Sequence, residues 1–215
     1  MLLFDHFPKS GGTTIRRYLL NNFSREEMYN LSEFNLGDSK EDWLSQPEHI
    51  RHQFKCVAAH NAYGLLDSMR PGTRLATVLR EPVDRLLSFY FFSKVTPELG
   101  QVHIDAKQMD SVEFAEAHHH TYSMVDYFSS METLNRYHIV GDQSRLTRFA
   151  KTLHNQFDLN PYQHERANES RNKVRPTELE LSKLVEICKG DSEFYNAWLK
   201  QVRATKLSVK DCSCG

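Results

Sequence analysis

Three apolar runs in this sequence each end in a group that can act on an anion. Pro8-Lys9-Ser10-Gly11-Gly12-Thr13-Thr14 follows Leu2-Leu3-Phe4, His60 follows Cys56-Val57-Ala58-Ala59, and Arg80 follows Leu75-Ala76-Thr77-Val78-Leu79. The first stretch joins an ammonium, hydroxyls and two glycines to a run with helical spacing, Ile15, Tyr18, Leu19 and Phe23. Glycines let backbone approach an anion closely, and a helix N-terminus presents N–H groups and a favourable dipole to it. A neutral imidazole accepts a proton near pH 7. A guanidinium forks onto the oxygens of a phosphate. Together the three predict a site for a small polyanion with a base beside it. The nucleotide motif G-x-x-x-x-G-K-[ST] is absent, because Lys9 precedes the glycines, and the third run ends in Arg80 instead of a magnesium-binding Asp.

The elements that must hold these groups follow from periodicity and turn chemistry. Leu2–Phe7, Phe54–Ala59, Leu75–Leu79 and Tyr137–Gly141 read as short buried strands. A helix opens around Pro82, a favoured first-turn residue. Another starts near Ser111, and Asp142 can cap a helix with Leu146, Phe149, Ala150 and Leu153 on its apolar face. Thr177-Glu178-Leu179-Glu180 is a capping box, and Asp191 is expected to open a last helix through Phe194, Trp198 and Val202. Residues 95–110 and 158–175 read as loops, with turn chemistry at Asn35-Leu36-Gly37-Asp38. Strands alternating with helices predict an α/β fold with a mainly parallel sheet, whose ligands bind at the carboxyl ends of the strands.

Composition narrows the class. A chain of 215 residues suits one domain. Lys and Arg number 27 against 28 Asp and Glu, so general nucleic-acid binding is disfavoured. No run approaches the roughly 20 apolar residues of a membrane span, and the start lacks the basic and apolar regions of a signal peptide. Cys56 and Cys188 sit in apolar patterns and are expected to be inert core thiols; Cys212 and Cys214 lack a second ligand pair for zinc. Free thiols and no span predict a cytoplasmic protein. His118-His119-His120 cannot chelate from one helix face, since successive positions point about 100° apart. Residues 145–175 carry an excess of four positive charges through Arg145, Arg148, Lys151, Arg166, Arg171, Lys173 and Arg175.

Two motifs carry a family resemblance. His6-Phe7-Pro8-Lys9-Ser10-Gly11-Gly12-Thr13-Thr14 resembles the 5′-phosphosulfate loop of sulfotransferases that use 3′-phosphoadenosine 5′-phosphosulfate (PAPS). Leu79-Arg80-Glu81-Pro82-Val83-Asp84-Arg85-Leu86-Leu87-Ser88-Phe89-Tyr90 resembles that family's 3′-phosphate segment, R-x-P-x-x-R-x-x-S-x-Y. Weaker likenesses lie at Ala59-His60-Asn61-Ala62-Tyr63-Gly64, Val140–Leu146, Arg166-Ala167-Asn168-Glu169-Ser170 and Asp191–Tyr195. The nearest branch contains carbohydrate 2-O-sulfotransferases. Residues 24–53 and 95–135 are unmatched.

The resemblance implies a P-loop-NTPase-like three-layer fold, with one sulfotransferase domain over 1–215 and little chain left for an anchor or stem. It implies PAPS as sulfuryl donor, no metal, and a glycan or small-molecule hydroxyl as acceptor. Lys9, Ser10, Gly11, Gly12, Thr13 and Thr14 would hold the 5′-phosphate side, with Lys9 also neutralising the leaving oxygen. Arg80 and Ser88 would hold the 3′-phosphate, and His60 would be the base; Asp5 and Glu81 are the carboxylate alternatives. Arg85 is a weaker anion ligand that could pair with Asp84 or Glu81 instead. His6 is expected to pack or orient the loop. An ATP-dependent phosphotransferase and a non-catalytic nucleotide-binding module are the competing readings.

Overall fold

The computed structural model describes residues 1–31, 38–163 and 176–211. In chain order its elements are β1 (Leu2–Asp5), α1 (Gly12–Leu20), β2 (Met28–Asn30), α2 (Asp38–Ser45), α3 (Glu48–Arg51), β3 (Cys56–Ala59), β4 (Arg74–Leu79), α4 (Pro82–Val95), α5 (Gln101–Gln108), α6 (Ser111–His118), α7 (Met124–Phe128), α8 (Met131–Asn135), β5 (Ile139–Asp142), α9 (Leu146–Phe157), α10 (Glu178–Ile187) and α11 (Lys189–Asp211). The chain divides into two compact units, residues 1–80 with 135–169, and 81–134 with 170–215. The turn expected at 35–37, the segment Arg166–Ser170, Arg171, Lys173 and Arg175, and Cys212 and Cys214 lie outside the described residues.

The first unit is built on a five-stranded sheet in the order β2-β3-β1-β4-β5, with every pairing parallel. Burial on both faces explains why its strands read as unbroken apolar runs. On one face Leu2, Phe4, Cys56, Ala58, Ala76, Val78 and Ile139 pack with Ile15, Tyr18 and Leu19 of α1 and Phe149, Ala150 and Leu153 of α9. The alternate residues Leu3, Val57, Leu75 and Leu79 are fully buried as well. Because β1 lies between β3 and β4, with Asp5 level with both Ala59 and Thr77, the exits of these three strands are side by side. The α/β expectation holds, and strand order supplies the adjacency that no local pattern contains.

The second unit is helical. Its cores join Val83 and Leu86 to Val112, Ala115, Leu184 and Cys188, and Phe89 and Tyr90 to Ala106 and Phe114. Of its caps, the Thr177–Glu180 box is as expected, whereas the helix expected to be capped at Ser111 has Asp110 as its N-cap. Glu81 accepts from the Asp84 N–H ahead of α4, Asp110 and Glu113 form a capping box at α6, and Thr177 and Glu180 form another at α10. Residues 101–108, expected to be loop, form α5 after Gly100. The last helix opens at Lys189, two residues before Asp191. Among the described residues no helix is long and apolar enough to cross a membrane.

Candidate active site

Lys9 and Gly11 have positive φ, 62° and 87°, and Ser10 between them does not. Alternating backbone hand turns successive N–H groups toward one side, the concavity that binds anions. Glycine suits position 11 because its αL conformation is the N-cap of α1, and a Cβ there would lie 2.9 Å from Leu146. Gly12 is required by contact: a Cβ would fall 1.9 Å from the His6 ring. The N–H groups of Gly12 and Thr13 open the helix and have no carbonyl one turn back within it. The Thr14 N–H donates to Gly11 O at 3.1 Å, so what Thr14 has left to offer is its hydroxyl. Ser10 is fully buried, and its hydroxyl has no hydrogen-bond partner among the described residues.

The neighbouring exits close on this loop. The His6 N–H donates to Ala59 O at 2.8 Å, continuing the β1–β3 ladder past the strand end. The His6 and His60 rings stack with centroids 4.6 Å apart and planes 21° from parallel. Burial holds His6 neutral, pushing its pKa down to about 3, and repulsion from His60, Arg16 and Lys9 adds to this. His6 therefore packs between Gly12 and His60. His60 itself is half-buried. On the other side, Arg80 Nη1 donates to Lys9 O at 3.3 Å, bracing the loop from the end of β4.

Both carboxylate alternatives to His60 are engaged elsewhere. Asp5 is fully buried; its Oδ1 accepts the Ala62 N–H at 3.1 Å and its Oδ2 the Tyr137 hydroxyl at 2.5 Å. Glu81 Oε2 accepts the Asp84 N–H at 2.7 Å as the cap of α4. Tyr137 was not foreseen as part of this region. The signal was present as Asp5, a charged residue in a buried strand, because such a group requires partners. Beyond Tyr137 the Tyr63 ring stacks at 6.0 Å, and Arg136 lies over Tyr63 and donates to its hydroxyl.

A cavity of about 190 Å³ borders the loop at Thr14. Its walls include Arg17, Tyr18 and Tyr162, the two tyrosines meeting edge to face at 5.4 Å. Tyr162 falls in a stretch read from sequence as loop, so it carried no pattern to find it by.

Within the second unit, Arg85 is 2% exposed and pairs at 3.5 Å with Asp191, whose other oxygen accepts the Val125 N–H. This partner, 106 residues away, was not among the Asp84 and Glu81 expected from the sequence. Ser88 stands half-buried on α4. Cys56 and Cys188 are buried free thiols, and burial pushes both up, Cys188 to about 12. His118 contacts Asp105 at 2.9 Å, and among the described residues no three His, Cys, Asp or Glu groups could hold a metal ion.

A parallel sheet whose central strand exits into a glycine-rich anion loop defines the class of P-loop-like α/β proteins. The model of the Sulfotransferase family matches residues 1–196, and the chain belongs to that family. The fold is shared with two solved structures. The mouse sulfotransferase SULT7A1 complexed with PAP superposes with a TM-score of 0.50 at 14% identity, over 89% of this chain and 64% of that one. A sulfotransferase from Alicyclobacillus acidocaldarius does so with 0.53 at 12% identity, over 93% and 95%. The chain thus spans less than two thirds of the mouse enzyme's length. No curated protein matches it.

Proposed function

We propose that the protein transfers a sulfuryl group from PAPS to an acceptor hydroxyl on a glycan or small metabolite. The observation that carries this is the Lys9–Thr14 loop at the exit of the central strand, with Gly12 seated on His6 and with His60 and Arg80 at the flanking exits. In this reading the N–H groups of Gly12 and Thr13 and the hydroxyls of Thr13 and Thr14 hold the 5′-phosphate, with Ser10 and Gly11 shaping the loop. His60 takes the acceptor's proton as its oxygen attacks sulfur. Lys9 neutralises the charge left on the bridging oxygen when the S–O bond breaks and PAP departs. Such a loose in-line transfer needs positioning and charge stabilisation more than covalent chemistry. Arg80 enters as a 3′-phosphate ligand; Ser88 enters the same role through the motif alone. The cavity beside Thr14, with aromatic walls, suits the nucleoside base. The whole chain acts as one sulfotransferase domain, nearest the branch of the carbohydrate 2-O-sulfotransferases, needs no metal, and works in the cytoplasm.

Transfer of labelled sulfate from PAPS across a library of hydroxyl acceptors tests this. A labelled product is expected, lost in His60→Ala while PAP still binds. PAP binding with no transfer to any acceptor points to a binding module, and magnesium-dependent ATP turnover without PAPS use points to a phosphotransferase.

A further inference from the structure

We propose that Asp5, backed by Tyr137, is the positioning residue for His60. The inference rests on the reading of His60 as the base, and it starts from a conformational oddity next to it. Asn61 adopts the left-handed region, φ 53° and ψ 36°, immediately after His60. Asparagine tolerates this region better than other non-glycine residues, and it turns the chain sharply after His60. Here β1 supplies the constraint. Before His60, Ala59 O is held by the His6 N–H at 2.8 Å. After it, the N–H of Ala62, itself fully buried, is held by Asp5 Oδ1 at 3.1 Å. Asp5, the last residue of β1, and His6 just beyond it thus clamp the backbone on both sides of the imidazole. The His6 ring fixes the third coordinate by stacking on the His60 ring at 4.6 Å.

The carboxylate is itself fixed. Its Oδ2 accepts the Tyr137 hydroxyl at 2.5 Å, and the Asp5 carbonyl accepts the Thr77 hydroxyl at 2.9 Å. Burial, and then the Asp5 charge, push the Tyr137 pKa upward, so the phenol remains a donor. A carboxylate removed from water at the end of a strand is costly unless each oxygen is used. Asp5 uses one oxygen to define a turn beside the base and the other to lock its own rotamer. A general base must reach within hydrogen-bond distance of the proton it takes, and displacements near 1 Å cost about 10²-fold in rate.

The test compares wild type with Asp5→Ala, Asp5→Asn, Tyr137→Phe, His60→Ala and the Asp5→Ala/His60→Ala double variant. Three readouts are taken: PAP affinity by calorimetry, release of labelled sulfate from PAPS to water, and carbethoxylation of individual histidines by diethyl pyrocarbonate, read by mass spectrometry. Asp5→Ala is expected to slow sulfate release about tenfold, with no further loss in the His60→Ala background. PAP affinity should stay within about twofold, since the Asp5 carboxylate holds the turn after His60 through Ala62 and is itself held by Tyr137. Carbethoxylation should speed up at His60 and not at His6. Asp5→Asn, whose Oδ1 still accepts the Ala62 N–H and whose Nδ2 can donate to the Tyr137 oxygen, should stay closer to wild type than Asp5→Ala in all three, which a merely structural charge would not allow. Equal losses with and without His60, or histidine reactivity unchanged in Asp5→Ala, would overturn the proposal. Should Asp5→Ala fail to fold, Tyr137→Phe decides on the same readouts, since it loosens the carboxylate and leaves its backbone bond in place. A wild type that neither binds PAP nor releases sulfate would sink the donor reading instead, and the histidine reactivities would still report on the clamp.

Discussion

Arg80 and Arg85 stand five residues apart in one motif, and each belongs to a different unit of the molecule. Arg80 ends the sheet unit, half-buried, with its guanidinium on the carbonyl of Lys9. Arg85 begins the helical unit, 2% exposed, with its guanidinium on Asp191. The same side chain therefore braces the glycine loop in one region and a packed helical core in the other. The difference extends to the units as wholes. In the first, Lys9, His60 and Arg80 stand at adjacent exits of parallel strands, where a bound anion can meet them. In the second, charged groups among the described residues serve caps, as at Glu81, Asp110 and Glu180, and pairs within the helical packing, as at Arg85–Asp191 and His118–Asp105.

Substitutions on either side of this division should separate chemistry from stability. The largest effect is expected at Lys9: Lys9→Ala should cut sulfuryl transfer by about 10²–10³-fold in steady-state kinetics, with the unfolding midpoint unmoved. Arg85→Met leaves Asp191 as an uncompensated buried charge, and should cost about 3–5 kcal/mol in urea unfolding. The molecules that remain folded should bind PAP normally; weakened binding by them would erase the distinction between the two arginines. Arg80→Ala should weaken PAP binding about 10–100-fold in calorimetry, the value of about one charge-assisted hydrogen bond, with little change in stability.

The smallest effect is a pH dependence confined to the sheet unit. His6 is held neutral in the fold, its pKa lowered to about 3, and protonates near pH 6.5 when unfolded. The unfolded chain then binds more protons than the native one as pH falls through 6.5. The contribution of His6 is present above that value and drains away toward pH 3. Between pH 7 and pH 5 the loss should be about 2 kcal/mol. His6→Gln should remove that part of the slope, measured as the difference between paired urea titrations; parallel slopes for the two proteins would contradict the buried, neutral imidazole.

What was legible in the sequence divides by range of interaction. The β1–loop–α1 segment could be read because an apolar run, a Pro, two glycines and a change to helical spacing follow one another within about twenty residues. The capping box at Thr177–Glu180 was legible for the same reason, being a contact over three residues; Asp142, expected to cap α9, instead accepts the Ser144 N–H in the short turn Gln143–Arg145, and α9 starts after Arg145 with no side-chain cap. β2 escaped because it is a three-residue edge strand with only Met28 buried, and α5 because Gly100 and a polar face mask its turn spacing. The partner of Arg85 is 106 residues distant and that of Asp5 is 132, and no local pattern encodes either. The adjacency of His60 to the loop likewise depended on strand order. The candidate residue types could be read from the chain, whereas the arrangement that brings them side by side is a property of the sheet.

The most direct measurement is calorimetric titration of the wild-type protein with PAP in the presence of a metal chelator. Saturable binding at one site per chain is expected, unaffected by the chelator and strongly weakened in Arg80→Ala. No binding of PAP, or binding that appears only with magnesium and is matched by ATP, would contradict it.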